Sequence, residues 1–258
     1  MIKKEAEKFS PSNILEGMTS ISALLNSDCG NDRKIEGVWV DASKKKSKSA
    51  EIGFLLAKSK EKGFSVEFVS SEQIEEKTIG STHGGILAFC SDRTIPPLTP
   101  DSIDSNGFYV YLEGIEDPYN FGYTLRSLYA AGVSGIVLPQ RNWMNAAGVV
   151  ARASAGASEL IPMQVANADD LISCFKAKHY QILCAGIRDS VSLFEESCRY
   201  PVLLIIGGEK RGISRNILDQ ADKIVRIDYG RSFRGSLSAA SAATVMAFEI
   251  FRQNRSKE

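Results

Sequence analysis

The chain of 258 residues is 43% apolar and balances 31 Lys and Arg against 31 Asp and Glu, so its formal net charge is zero. That length admits one large domain or two smaller ones. No apolar run approaches the roughly 20 residues of a membrane span, and no overall basic excess advertises a nucleic-acid partner, although a local basic face stays open.

Five cysteines without a CxxC pair argue against a disulfide framework and against a zinc site. The first residues, "MIKKEAEKFSPSNILEGM", contain no apolar segment of the signal-peptide kind, so a cytoplasmic protein without a metal is expected. In chain order, "ILEGMTSISALL" (14–25) has helical apolar spacing and "IEGVWVDA" (35–42) reads as a strand. "SAEIGFLLAKSKEKG" (49–63) reads as a helix ended by Gly63, followed by strands at "FSVEFVS" (64–70) and "GGILAFCS" (84–91). Between the first strand and the second helix, "KKKSKS" gathers Lys44, Lys45 and Lys46; it is either a solvated loop or a phosphate contact.

"SDRTIPPLTPDSIDSNG" (91–107) holds three of the eight prolines and little aliphatic content, the chemistry of a Pro-stiffened linker. It divides the chain into a small unit over 1–92, a linker over 93–106 and a larger unit over 107–258. The larger unit repeats strand then helix. "FYVYLEGI", "GIVLP", "IPMQVA", "QILCAGI", "PVLLIIGG" and "KIVRID" are its strands. "FGYTLRSLYAAG", "NAAGVVARASAGASEL", "DDLISCFKAKHY" and "SRNILDQA" are its helices, before a closing helix from Gly235 to Phe251. Such alternation predicts an α/β fold with a mainly parallel sheet and helices on both faces, and ligands beyond the carboxyl ends of the strands.

Three strand-end loops draw attention. In "EGIEDPYNFGYTLRSLYAAGV" (113–133), Asn120 reads as a helix N-cap before an apolar side of Leu125, Leu128 and Tyr129, and Arg126 is either a surface cation or a site residue. "LLIIGGEKRGIS" (203–214) runs a buried strand into Gly207-Gly208-Glu209. It is neither a Walker loop nor a GxGxxG turn; it is either a plain strand-to-helix turn with Ser214 as cap or a backbone platform for a ligand. The third, "YGRSFRG" with Arg231 and Arg234, leads into "GSLSAASAATVMAFEIF" (235–251), whose bulk arrives only at Val245, Met246, Phe248 and Phe251. So small a helix start needs either close packing on neighbours or close approach to a ligand.

Together, in this order and spacing, the loops resemble the SpoU (TrmH-like) branch of the SPOUT RNA methyltransferases over roughly 109–251. "EDPYNFGYTLRSLYAAG" is similar to the first motif, "ARASAGASELIPM" to the segment after it, "IIGGEKRG" to the second motif and "SLSAASAA" to the third. The first unit, ending in "THGGILA", is similar to the small RNA-binding domain resembling ribosomal protein L30e that often precedes this catalytic domain. The resemblance implies a SPOUT fold whose C-terminal segment threads a deep trefoil knot, a homodimer, and S-adenosylmethionine (AdoMet) held in the knot.

It further implies transfer of the methyl group to a ribose 2′-hydroxyl of structured RNA, ribosomal or transfer RNA with the ribosomal favoured. By the same resemblance Arg126 serves the hydroxyl and the RNA phosphate, from its own chain or the partner's. Asn120 and Glu209 orient it, Ser236 offers its hydroxyl, and the backbone of Leu138, Gly208, Ile227, Ser236 and Leu237, with Glu209, holds the cofactor. Arg231, Arg234 and Lys44 to Lys46 are the further RNA contacts expected. One departure stands out: where the family usually runs Ser-Leu-Asn, this chain has Ser236-Leu237-Ser238. The alternative that this raises is a non-catalytic relative that binds AdoMet and RNA.

Overall fold

A computed structural model describes residues 13–78, 81–140, 146–208 and 210–255. The described parts of Met1–Thr94 and Trp143–Leu160 form one unit, and those of Ile95–Asn142 and Ile161–Glu258 a second. In the first unit, β1 (Ile14–Glu16) precedes α1 (Gly17–Leu25), so the helix expected from residue 14 starts three residues later, at Gly17 with φ of 79°. Then follow β2 (Ile35–Asp41), α2 (Ser49–Lys62), β3 (Ser65–Val69), α3 (Ser71–Glu75) and β4 (Ile86–Cys90). The four strands form one sheet in the order β1-β4-β2-β3, antiparallel except for β2 with β3. Gly63 ends α2 in the left-handed region, as its position predicts.

The Pro-rich stretch is no free linker. The Pro96 carbonyl accepts from Val165, the Leu98 N–H donates to the Val165 carbonyl, and Leu98 and Ile103 are buried in the core of the second unit. Next come β5 (Phe108–Glu113), α4 (Pro118–Ala130) and β6 (Gly135–Leu138). The helix expected over 145–160 is two, α5 (Ala147–Ala153) and α6 (Ala157–Leu160), and both belong to the first unit. Ala155 (φ 51°) and Gly156 (φ 83°) break it, and a Cβ on Gly156 would lie 2.6 Å from that of Ala23 on α1. Only glycine reconciles that backbone turn with that approach. The buried pair Arg33–Glu159, 3.3 Å apart with side chains 1% and 3% exposed, ties α6 into the same unit.

The second unit continues with β7 (Met163–Val165), α7 (Ala168–Ala177), β8 (Gln181–Ala185), β9 (Val191–Ser192), β10 (Val202–Gly207), α8 (Arg215–Leu218), β11 (Lys223–Arg226) and α9 (Ala239–Asn254). Its seven strands are parallel throughout, in the order β7-β6-β5-β10-β8-β11-β9. Tyr109, Tyr111, Leu203 and Ile205 share one buried cluster with Leu171 and Phe175 of α7 and Ile217 of α8. Their chain neighbours Val110, Leu112, Leu204 and Ile206 are also buried and, by strand alternation, face the other side, where α9 packs on β10 and along α4. Helices therefore cover both faces, which explains why β5 and β10 are apolar at nearly every residue. Ala239, Ala243 and Ala247 recur every fourth residue on the buried side of α9, and Met246 and Ile250 extend that side. The closing helix thus begins at Ala239, four residues beyond Gly235.

Candidate functional site

The carboxyl ends of β8, β10 and β11 open into a cavity of about 770 Å3, lined there by Ala185, Gly186, Ile206, Gly207, Arg226 and Ile227. Gly208, Ser236 and Leu237, expected at a cofactor, line it too. The size is that of a small-molecule site, and the position is the one such sheets use. Apolar walls from Ile187, Ile213, Ile224 and Met246 suit a flat ring, and Arg188, Asp189, Arg211 and Asp219 supply both signs of charge. Those four were missed; the strand-end position of "QILCAGIRD" is the signal that marks the first pair.

Backbone contact shapes the floor. A Cβ on Gly208 would fall 2.0 Å from the Gly114 carbonyl oxygen, and one on Gly207 2.3 Å from the carbonyl carbon of Gly212. Gly208 therefore lets the second motif loop rest directly on the backbone of the first. The Ser214 N–H donates to the Glu113 carboxylate at 3.0 Å, and Lys210 pairs with Glu116. Gly208→Ala is expected to destabilise the protein by about 1–3 kcal/mol through overpacking against backbone and to weaken AdoMet binding by at least about tenfold. Thermal unfolding and calorimetry read both; a variant matching wild type in each would show that the loops separate freely. Beneath the site, burial pushes the Cys184 thiol up to about 12, so it is neutral and inert at physiological pH. All five cysteines are free.

The first motif is arranged differently from its sequence reading. Asp117, not Asn120, caps α4: its carboxylate accepts the Asn120 N–H at 2.7 Å, and Pro118 follows at the first helical position. Asn120 is half-buried within the first turn, and its carbonyl accepts from the Thr124 hydroxyl. Leu125 and Leu128 are fully buried as expected, but Tyr129 is exposed. Arg126 is exposed on α4 and does not line the cavity. Leu138 is buried at the end of β6, two strands from β10; its carbonyl accepts from Ala166, and it too is outside the lining. Glu209 lies outside the described residues.

In the third motif, Ser238 is the N-cap of α9, its hydroxyl accepting the Ser241 N–H at 3.2 Å and meeting the Ser241 hydroxyl at 3.0 Å. It does not line the cavity, and its observed role is to cap the helix. Asn and Ser cap equally well. Ser238→Asn is therefore expected to change stability by only a few tenths of a kcal/mol and Ser238→Ala to cost about 1 kcal/mol, with AdoMet affinity unmoved in both, by denaturant titration and calorimetry. Ser236 is exposed at the cavity, and Arg231 and Arg234 are exposed on the loop before it.

In the first unit, Lys44, Lys45 and Lys46 are all exposed, and the Lys45 ammonium stands 4.1 Å over the Phe68 ring. The "KKKSKS" and "THGG" loops meet: Lys44 and Lys48 approach Gly85 and Gly84, and the Asp41 N–H donates to the Gly85 carbonyl at 2.8 Å. Among the described residues, no group of three His, Cys, Asp or Glu side chains could hold a metal, and no helix is long and apolar enough to cross a membrane.

Comparison with known proteins gives two family matches, the SpoU rRNA Methylase family over residues 107–248 and "RNA 2′-O ribose methyltransferase substrate binding" over 14–96. The chain is 27% identical, over 95% of its length and 98% of the relative's, to a 23S rRNA (guanosine-2′-O-)-methyltransferase of Shewanella oneidensis. Among solved structures it is similar to the AdoMet-bound rRNA methyltransferase of Sinorhizobium meliloti, with TM-score 0.78 and 26% identity over 94% of this chain and 88% of that one. It shares its fold with a SpoU methyltransferase of Streptomyces viridochromogenes, with TM-score 0.77 and 20% identity over 94% and 91% of the two chains.

Proposed function

The chain belongs to the SpoU rRNA methylase family and is an AdoMet-using enzyme of that family, and we propose that its acceptor is a ribose 2′-hydroxyl of ribosomal RNA. The observation that carries this is the convergence of the second and third motif loops on one cavity at the strand ends. The residues present fit the cofactor: the volume is ample, the walls mix apolar and charged side chains, and glycine backbone and the Ser236 hydroxyl supply hydrogen-bonding groups. Gly208, Ile227, Ser236 and Leu237 hold it, with Gly207; Leu138, outside the cavity lining, is left out of this set. Bound there, AdoMet supplies an electrophilic methyl group.

Transfer to the hydroxyl is an in-line displacement, so the chain's task is to position the ribose and exclude water. Arg126, with Asn120 and Glu209, orients the ribose and its phosphate. A guanidinium offers only hydrogen-bond donors and no acceptor, so Arg126 acts as clamp and electrostatic orienter. Its exposure away from the cavity supports service to a second copy of the chain. Tyr119, Tyr123 and Arg126 share one exposed face of α4, and Phe248 and Phe251 are exposed on α9, which packs along it. Such aromatic surface favours a homodimer. The glycine contact between motif loops and the alanine stripe of α9 support the threaded path that the resemblance implies. The Lys44–Lys46 loop gives the first unit a cationic edge for the phosphate backbone. The site of action is the cytoplasm, where ribosomal RNA is found.

Labelled-methyl transfer to ribosomal RNA from cells lacking the gene tests the reading. Label in ribose 2′-O-methyl nucleosides is the expected result. Binding of both AdoMet and RNA without transfer would make the chain a non-catalytic relative.

A further inference from the structure

The loop between β11 and α9 carries more aromatic surface than cofactor binding uses. Tyr229 and Phe233 are 38% and 61% exposed, their ring centroids 6.0 Å apart and their planes inclined by 52°. Two contacts hold them there. The Tyr229 hydroxyl accepts the Leu237 N–H at 3.2 Å, which ties the two ends of the loop together. The Phe233 ring lies against the Gly235 backbone, where a Cβ would fall 2.5 Å from its Cζ. Beside the rings is a second hollow, of about 380 Å3, lined by Tyr229, Gly230, Arg231, Phe233 and Leu237. Tyr229 and Leu237 line both this hollow and the larger cavity, so the two adjoin. Arg231 and Arg234 are exposed on the same short loop.

Exposed rings interleaved with arginines match one ligand chemistry above others. Every nucleobase has a π-face that stacks on an aromatic ring, and its flanking phosphates attract guanidinium groups. An apolar protein partner would leave the two cations unmatched. Resting on the reading of this chain as an RNA methyltransferase, we propose that the hollow is a nucleobase subsite. An unstacked base of the substrate RNA packs against Phe233 and Tyr229, and Arg231 and Arg234 take the adjoining phosphates. Because the hollow borders the cofactor cavity through Tyr229 and Leu237, a base held there brings its own ribose, or its neighbour's, to the edge of that cavity. Phe233 and Tyr229 are then substrate-binding residues, and the Gly235 contact sets the angle at which Phe233 meets the base.

Stacking and phosphate contact separate by salt. With the full chain and ribosomal RNA from cells lacking the gene, Phe233→Ala is expected to weaken RNA binding and raise the KM for RNA by about tenfold, with AdoMet affinity within about twofold of wild type. Phe233→Trp, which keeps a stacking face, restores RNA affinity. The slope of log affinity against log salt stays at its wild-type value in Phe233→Ala and shrinks in magnitude by about 0.7–1 in Arg231→Ala and in Arg234→Ala. Unchanged RNA affinity in Phe233→Ala, or an equal loss of AdoMet affinity, overturns the subsite. Binding is read apart from turnover, so the two readings fail separately. A wild type that transfers methyl while Phe233→Ala binds RNA normally sinks only the subsite. A wild type that transfers nothing while Phe233→Ala loses RNA sinks only the acceptor chemistry.

Discussion

Arg126→Ala is expected to lower kcat/KM for RNA by about 10²–10³-fold while the AdoMet dissociation constant stays within about twofold. The split follows from position. Arg126 is exposed on α4 and does not line the cavity of its own chain, so truncation leaves the cavity lining itself unchanged. What disappears is a planar cation with five donors, suited to gripping a phosphate while steering a ribose oxygen. Arg126→Lys keeps the charge and loses the fork, and should recover only part of the rate. Steady-state kinetics with calorimetry decide the matter; an alanine variant turning over within twofold of wild type removes Arg126 from the mechanism.

Glu159→Ala is expected to destabilise the protein by about 3–5 kcal/mol in denaturant titration. The Glu159 carboxylate takes Arg33 at 3.3 Å, the Asn31 amide at 2.9 Å and the Ser158 hydroxyl at 3.1 Å; Arg33, Ser158 and Glu159 are buried and Asn31 is half-buried. Removing it takes a carboxylate partner from the buried Arg33 guanidinium, which is far worse than never burying a pair. Replacing both partners together, Arg33→Met with Glu159→Leu, should therefore recover most of the loss. A single variant within 1 kcal/mol of wild type would show that Arg33 does not depend on Glu159.

The same residues mark what could be read from sequence and what could not. β5 and β10 were legible because a strand covered on both faces has no polar side to confuse its pattern. The Gly63 stop was legible because the signal is local. The break at Ala155–Gly156 was not, since an alanine-rich run favours helix and the deciding contact is with Ala23, far away in the chain. Nor does the local pattern reveal that Glu159 belongs with Arg33 rather than with the strands that flank it in sequence. At α4, Asp117 and Asn120 are both good caps, and Pro118 was the overlooked clue that favours the first. In the site, the glycine and Ser-Leu positions could be placed from their motifs, whereas the loop contacts of Tyr229 and Phe233 emerge only once the chain is folded.

The pairing of residues 96–98 with β7 also guards against aggregation. A seven-stranded parallel sheet ends in two rows of backbone groups that could template growth onto another molecule. At one end, Pro96 and Pro97 lie alongside β7, and neither has an N–H to offer a further strand. At the other, β9 is only two residues long. Both borders of the sheet are thereby closed to edge-to-edge assembly. The Pro-rich stretch thus serves as the cap on one border of the sheet.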